Sequence, residues 1–85
     1  MPYSAVFSKE IQHIFKKLRK KDRANYSRLQ QTVYKILENP EAGKPLRYDL
    51  KNFRRIHVGS FVLLYEVRDE AIFFADYQHH DTVYK

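Results

Sequence analysis

Three runs of alternating side chains, at 53–58, 61–68 and 70–77, succeed one another with at most two residues between them. Strands so closely adjacent in sequence pair most naturally as an antiparallel meander. Gly59 with Ser60, and Arg68 with Asp69, mark the tight turns. The first half of the chain has a different period. After a short strand at 3–7, Ser8 is a good helix N-cap, and Phe7, Ile11, Ile14, Phe15 and Leu18 recur at helical spacing. Lys9, Lys16, Lys17 and Lys20 fall off that stripe. Asp22 caps a second helix after a very tight turn, with Tyr26, Leu29, Val33, Ile36 and Leu37 on its apolar stripe. Pro40 stops it, because the residue before a proline disfavours the helical conformation. Two amphipathic helices so closely joined form an antiparallel hairpin. Positions 41–51, with Gly43 and Pro45, read as a loop.

The expected fold is therefore α+β: an N-terminal strand, then a two-helix antiparallel hairpin packed on one face of an antiparallel sheet with a three-stranded C-terminal meander. The first strand is expected at a sheet edge or beside the last strand. A chain of 85 residues makes one domain, 1–85, with a small core. It has no cysteine, which excludes disulfides and thiolate metal sites. With no signal peptide and no bilayer-length apolar run, a soluble cytoplasmic protein is expected, with no membrane partner. The net charge of +6 suits a polyanionic partner, although a solvated basic surface gives the same count.

Strand alternation assigns faces. Ile56 and Val58 must meet the helices, which leaves Arg55 and His57 together on the opposite face. Arg54 has inward parity, so it is either an edge residue bent outward or paired with Glu66 or Asp69. Tyr65 and Phe73 read as core, and His13 as solvated. A tail follows the last strand and carries His79, His80, Asp81, Tyr84 and Lys85. Consecutive histidines rarely converge on one ion, and no carboxylate–histidine spacing supports a metal site.

Three stretches carry a family resemblance: Leu50-Lys51-Asn52-Phe53-Arg54-Arg55-Ile56-His57-Val58-Gly59, Leu64-Tyr65-Glu66-Val67, and His79-His80-Asp81-Thr82-Val83-Tyr84-Lys85. In order and spacing they resemble the RelE/ParE toxin superfamily. The resemblance implies a toxin of a toxin–antitoxin pair. RelE-type members cleave mRNA, usually on the ribosome, without metal or cofactor, using basic and aromatic residues on the exposed sheet face. ParE-type members share the fold and act on DNA gyrase. Many of the nucleases have arginine where this chain has Val62. With His57 and His80, the chain is similar to the histidine-using, YafQ-like branch, which also lacks that arginine.

Metal-free RNA cleavage needs a base for the 2′-OH, an acid for the leaving 5′-oxygen, and positive charge for the phosphorane. By the resemblance, His57 and His80 are the expected acid/base pair, Arg55 the phosphate clamp, and Tyr84 the group that orients the 2′-OH or stacks on a base. Lys51, Arg54, His79 and Lys85 are the expected substrate contacts. The expected partners are a cognate antitoxin and ribosome-associated mRNA, in a homodimer or a toxin–antitoxin hetero-oligomer. The alternatives are a ParE-like toxin that inhibits a protein target, and an inactive member that only binds antitoxin.

Overall fold

The computed structural model describes residues 3–47 and 52–83, with side chains left out for the last two of these. Strand β1 (Ser4–Phe7) leads into helices α1 (Lys9–Lys21) and α2 (Arg23–Glu38). A single 3₁₀ turn, Pro40–Ala42, and a two-residue strand β2 (Lys44–Pro45) follow. The meander is β3 (Phe53–Val58), β4 (Phe61–Arg68) and β5 (Ala71–His79), and a four-residue helix α3 (His80–Val83) comes after it. The sheet order is β1-β5-β4-β3-β2. Every pairing is antiparallel except β1 with β5, which is parallel. The helix hairpin carries the chain from β1 at one edge of the sheet to β2 at the other, and the meander then returns to β1. No helix among the described residues is long and apolar enough to cross a membrane.

Local chemistry fixes the helix ends. Ser8 Oγ accepts from Ile11 N at 3.0 Å and Asp22 Oδ1 from Asn25 N at 3.1 Å, each satisfying an amide that a helix start leaves open. Ser8 also joins helix to sheet. Its hydroxyl donates to Ala75 O at 2.7 Å and its amide to Phe74 O at 3.0 Å. Ala75 is the extra residue of a β-bulge, because Leu64 pairs with Asp76 while Tyr65 pairs with Phe74. The bulge lets Phe74 and Tyr77, three residues apart, both face the helices.

Both helices cover the same face of the sheet. Ile11, Leu29, Val33, Ile36 and Leu37 meet Val58, Leu63, Tyr65, Ile72, Phe74 and Tyr77 in one buried cluster. Burying each large apolar side chain contributes roughly 1.5–3 kcal/mol. Among the described residues no helix layer covers the other face, so side chains of opposite parity gather there.

Four expectations need correction. The region read as a loop contains β2, because Lys44 and Pro45 pair with Arg55 and Arg54. The last strand runs to His79, so that residue belongs to the sheet and not to a tail. Phe73 is not core. Ile72 and Phe74 already point inward, which turns Phe73 onto the open face under the Arg68 guanidinium, 4.7 Å from its ring. Arg54 is neither bent outward nor paired with Glu66 or Asp69, since its Nη1 donates to Gly43 O at 2.6 Å.

Candidate functional site

On the open face the register sets His57 beside Val62 and Val62 beside Gln78. One row along, Lys44, Arg55, Leu64 and Asp76 run across four strands. Direct cross-strand partners share a face, so Lys44 and Arg55 present their cations together. His57 lies two residues from Arg55, about 7 Å along the strand.

The start of α3 completes this cluster. His80 N donates to Ser60 O at 2.8 Å, which folds α3 back over the β3–β4 turn. The turn itself depends on Gly59, whose φ of +62° is a left-handed conformation that side chains disfavour. The docked end brings the His80 ring to 5.6 Å from the His57 ring, centroid to centroid, with a 33° tilt. That spacing is direct ring contact, so no phosphate fits between the two rings. A phosphate that uses both must lie across their exposed edges. Asp81 sits beside the pair, with Oδ1 3.7 Å from His80 Nδ1. Beneath, Val62 is 3% exposed although its strand neighbours His57 and Gln78 lie on the open face. It is not part of the helix-side cluster, and it serves as the apolar floor of this end of the sheet.

The sequence-selected residues do not all converge. His57, His80 and Arg55 share the open face. Arg54 and His79 lie on the helix side, because their cross-strand partners Tyr65 and Phe61 point inward. Arg54 holds Gly43, and His79 sits edge-on to Phe61 at 5.4 Å. Its Nδ1 accepts from Asp81 N at 3.3 Å. Lys51, Tyr84 and Lys85 lie outside the described residues.

Lys44 is the residue that pattern reading missed. It sits in a two-residue strand without internal alternation, between Gly43 and Pro45. The available signal was the neighbouring glycine. Tyr65 is fully buried, its hydroxyl donating to Pro40 O at 2.7 Å and accepting from Gly43 N at 2.8 Å. A Cβ at position 43 would come within 2.7 Å of both Arg55 O and Tyr65 Oη. Glycine is needed here for close approach, its φ of −87° being ordinary. Burial raises the phenol pKa of Tyr65, with the Gly43 hydrogen bond and the Arg54 charge opposing the rise in part. A protonated hydroxyl is what the bond to Pro40 requires.

A parallel clamp joins the sheet to α2. The Tyr77 hydroxyl donates to Asn25 Oδ1 at 2.6 Å, and this bond partners the buried polar residue Asn25. Burial pushes the Tyr77 pKa up to about 12; Arg28 opposes the shift and Asp22 adds to it.

Comparison with known proteins agrees with this architecture. The family model described as the ParE toxin of the type II toxin–antitoxin system parDE matches residues 3–84. A candidate toxin of Methanocaldococcus jannaschii, RelE4, is 33% identical over 86 residues, covering 98% of this chain and 92% of its own. Among solved structures, the YoeB dimer from Staphylococcus aureus superimposes with a TM-score of 0.79 at 19% identity, covering 94% of this chain and 99% of its own. YafQ from Escherichia coli gives a TM-score of 0.73 at 18% identity, over 98% and 99% of the two chains. The RelE–RelB complex from Pyrococcus horikoshii gives 0.73 at 19%, over 94% and 97%.

Proposed function

The chain belongs to the RelE/ParE superfamily of type II toxin–antitoxin toxins, and from that premise we propose that it is a metal-independent endoribonuclease that cleaves mRNA. The carrying observation is the contact of His57 and His80 on the open sheet face, one row from Arg55 and Lys44. One histidine takes the proton of the ribose 2′-OH as its oxygen attacks phosphorus. The other protonates the departing 5′-oxygen as the P–O5′ bond breaks. The products are a 2′,3′-cyclic phosphate and a 5′-hydroxyl. Arg55 and Lys44 stabilise the charge of the phosphorane and supply the cations that Val62 cannot. By resemblance, Tyr84 remains the group that orients the 2′-OH or stacks on a base, and Lys51 and Lys85 remain substrate contacts. Arg54 is reassigned to holding Gly43.

The partners proposed are a cognate antitoxin, which would cover the basic face or displace the chain end, and mRNA on the ribosome. Complexes of related folds, such as the Escherichia coli RelBE toxin–antitoxin complex, support the first. Induction without antitoxin, followed by mapping of RNA 5′ ends and product end groups, tests the reading. New cleavage sites with cyclic phosphate ends, formed equally in EDTA, are expected. Cleavage abolished by EDTA and restored by a divalent ion, with ribosome integrity controlled, would refute it.

A second reading has two observations behind it. The matching family description names ParE, and Val62 replaces the arginine expected of many of the nucleases. A ParE-like toxin would inhibit a protein target, such as DNA gyrase, without cutting RNA. Undiminished growth arrest by a folded His57→Ala, His80→Ala variant would establish it over the nuclease.

A further inference from the structure

Around the end of β5 from the histidine pair, on the helix side of the sheet, lies an open groove of about 890 Å³. One wall is α1, which lines it with Lys9, His13, Lys17 and Lys21 at intervals of four residues, one face of the helix. The floor is aromatic. Phe61 stacks on Tyr77 at 5.0 Å, and His79 stands edge-on to Phe61.

The charge of this wall exceeds what the helix needs. Arg19, Lys20 and Lys21 in the last turn suit the negative end of the helix dipole. Lys9 in the first turn opposes the positive end, and Lys17 with Lys21 sets like charges at a repelling spacing. No ion pair among the described residues relieves Lys9, Lys17 or Lys21. Of the two acidic residues on the rim, Glu10 and Asp22, the second is committed to capping α2. A cationic wall above the partly exposed rings of Phe61 and His79 is the combination that tracks a nucleic-acid backbone and stacks its bases.

The groove also meets the proposed catalytic patch. His79 and His80 are consecutive, and one projects into the groove while the other touches His57. A strand of RNA bound at the histidine pair needs only to turn round the end of β5 to enter the groove. Resting on the nuclease reading above, we propose that this groove is a second RNA site. It would hold backbone phosphates flanking the scissile one on Lys9, Lys17 and Lys21, with a base against Phe61 and His79.

The test uses a short, fluorescein-labelled, fully 2′-O-methylated oligoribonucleotide, which lacks the nucleophile and cannot be cut. Its affinity for the whole chain is measured across salt concentration. In a Lys9→Gln, Lys17→Gln, Lys21→Gln variant, binding at low salt should weaken about tenfold or more. The slope of log K against log salt should flatten by about 2, from roughly 0.7 for each phosphate no longer neutralised. Glutamine matches lysine in helix propensity, so the fold should be kept, which circular dichroism checks. The exposed pair Lys35→Gln, Arg47→Gln, outside the groove, should leave the slope unchanged. An unaltered slope and affinity in the triple variant would overturn the proposal. So would loss of antitoxin binding with RNA binding intact, which makes the groove a protein contact. If the unmodified chain cuts no RNA but the triple variant still flattens the slope, the nuclease reading fails and the RNA groove stands.

Discussion

Removing one oxygen atom, by Tyr65→Phe, tests how the short strand β2 is held in register. The ring stays in the core, so no cavity of consequence forms. What disappears is the hydroxyl that bridges Pro40 O and Gly43 N. The Gly43 amide is buried, and the Tyr65 hydroxyl is the acceptor it uses. A buried donor left open costs about 1–3 kcal/mol, and the lost bond to Pro40 adds about 1, for a total near 2–4 kcal/mol. A domain of this size has about 4–13 kcal/mol in all, so the loss is a large share. Urea denaturation should show the midpoint falling by roughly 2 M or more at a slope near 1 kcal/mol per M, with the slope unchanged. Function gives the second reading. Arg54 still holds Gly43 O, but Lys44 is freed to drift from its place beside Arg55. At a temperature where the variant is folded, cleavage should drop to the level of Lys44→Ala and no lower. A stability loss under about 0.5 kcal/mol would refute the accounting of hydrogen bonds. Full cleavage by folded Tyr65→Phe, with Lys44→Ala impaired, would refute the positioning argument.

Three further outcomes are expected. Replacing either His57 or His80 by alanine should slow RNA cleavage about 10²–10⁴-fold in single-turnover assays, with antitoxin binding retained. Arg55→Ala and Lys44→Ala should each cost about 3 kcal/mol or less in the cleavage step; equal rates in the unmodified and doubly substituted chains would remove both from the site. Stability should fall between about pH 10 and pH 12: the Tyr77 phenol is held protonated in the fold and ionises near the usual tyrosine value of about 10 once unfolded, so the unfolded chain binds fewer protons across that window. Urea midpoints compared at pH 8 and pH 11 should show the decline, and Tyr77→Phe, already weakened by an unpaired Asn25, should show a smaller one.

Much of the fold was legible because its signals are local. Ser8 and Asp22 cap helices by their own side chains, two apolar stripes mark the hairpin, and short turns force the meander. The parity of Ile56 and Val58 against Arg55 and His57 followed from alternation within one strand, and the register of β3 on β4 agrees with it. Features that depend on two distant segments were hidden. The bulge at Ala75, which allows Phe74 and Tyr77 to face the same way, shows only against β4. Strand β2 exists because Tyr65 and Arg54, from two other strands, hold Gly43 by its amide and its carbonyl.

The histidines show what this distinction means for function. Adjacent in sequence, His79 and His80 look like one unit of a tail. A strand that continues to His79 must send its last side chain to one face, and the bond from His80 N to Ser60 O turns the next residue to the other. The strand end thus sends to opposite faces two residues that composition alone would merge. His80 joins His57 above Val62, and His79 joins the lysines of α1 above Phe61. The same geometry gives Val62 a reason to be apolar. It is left almost no exposed surface between His57 and Gln78, so an arginine there would have to push these neighbours aside to reach a phosphate. Cations arriving from the sheet edge, through Lys44 and Arg55, reach the same patch without disturbing the contact between the two histidines.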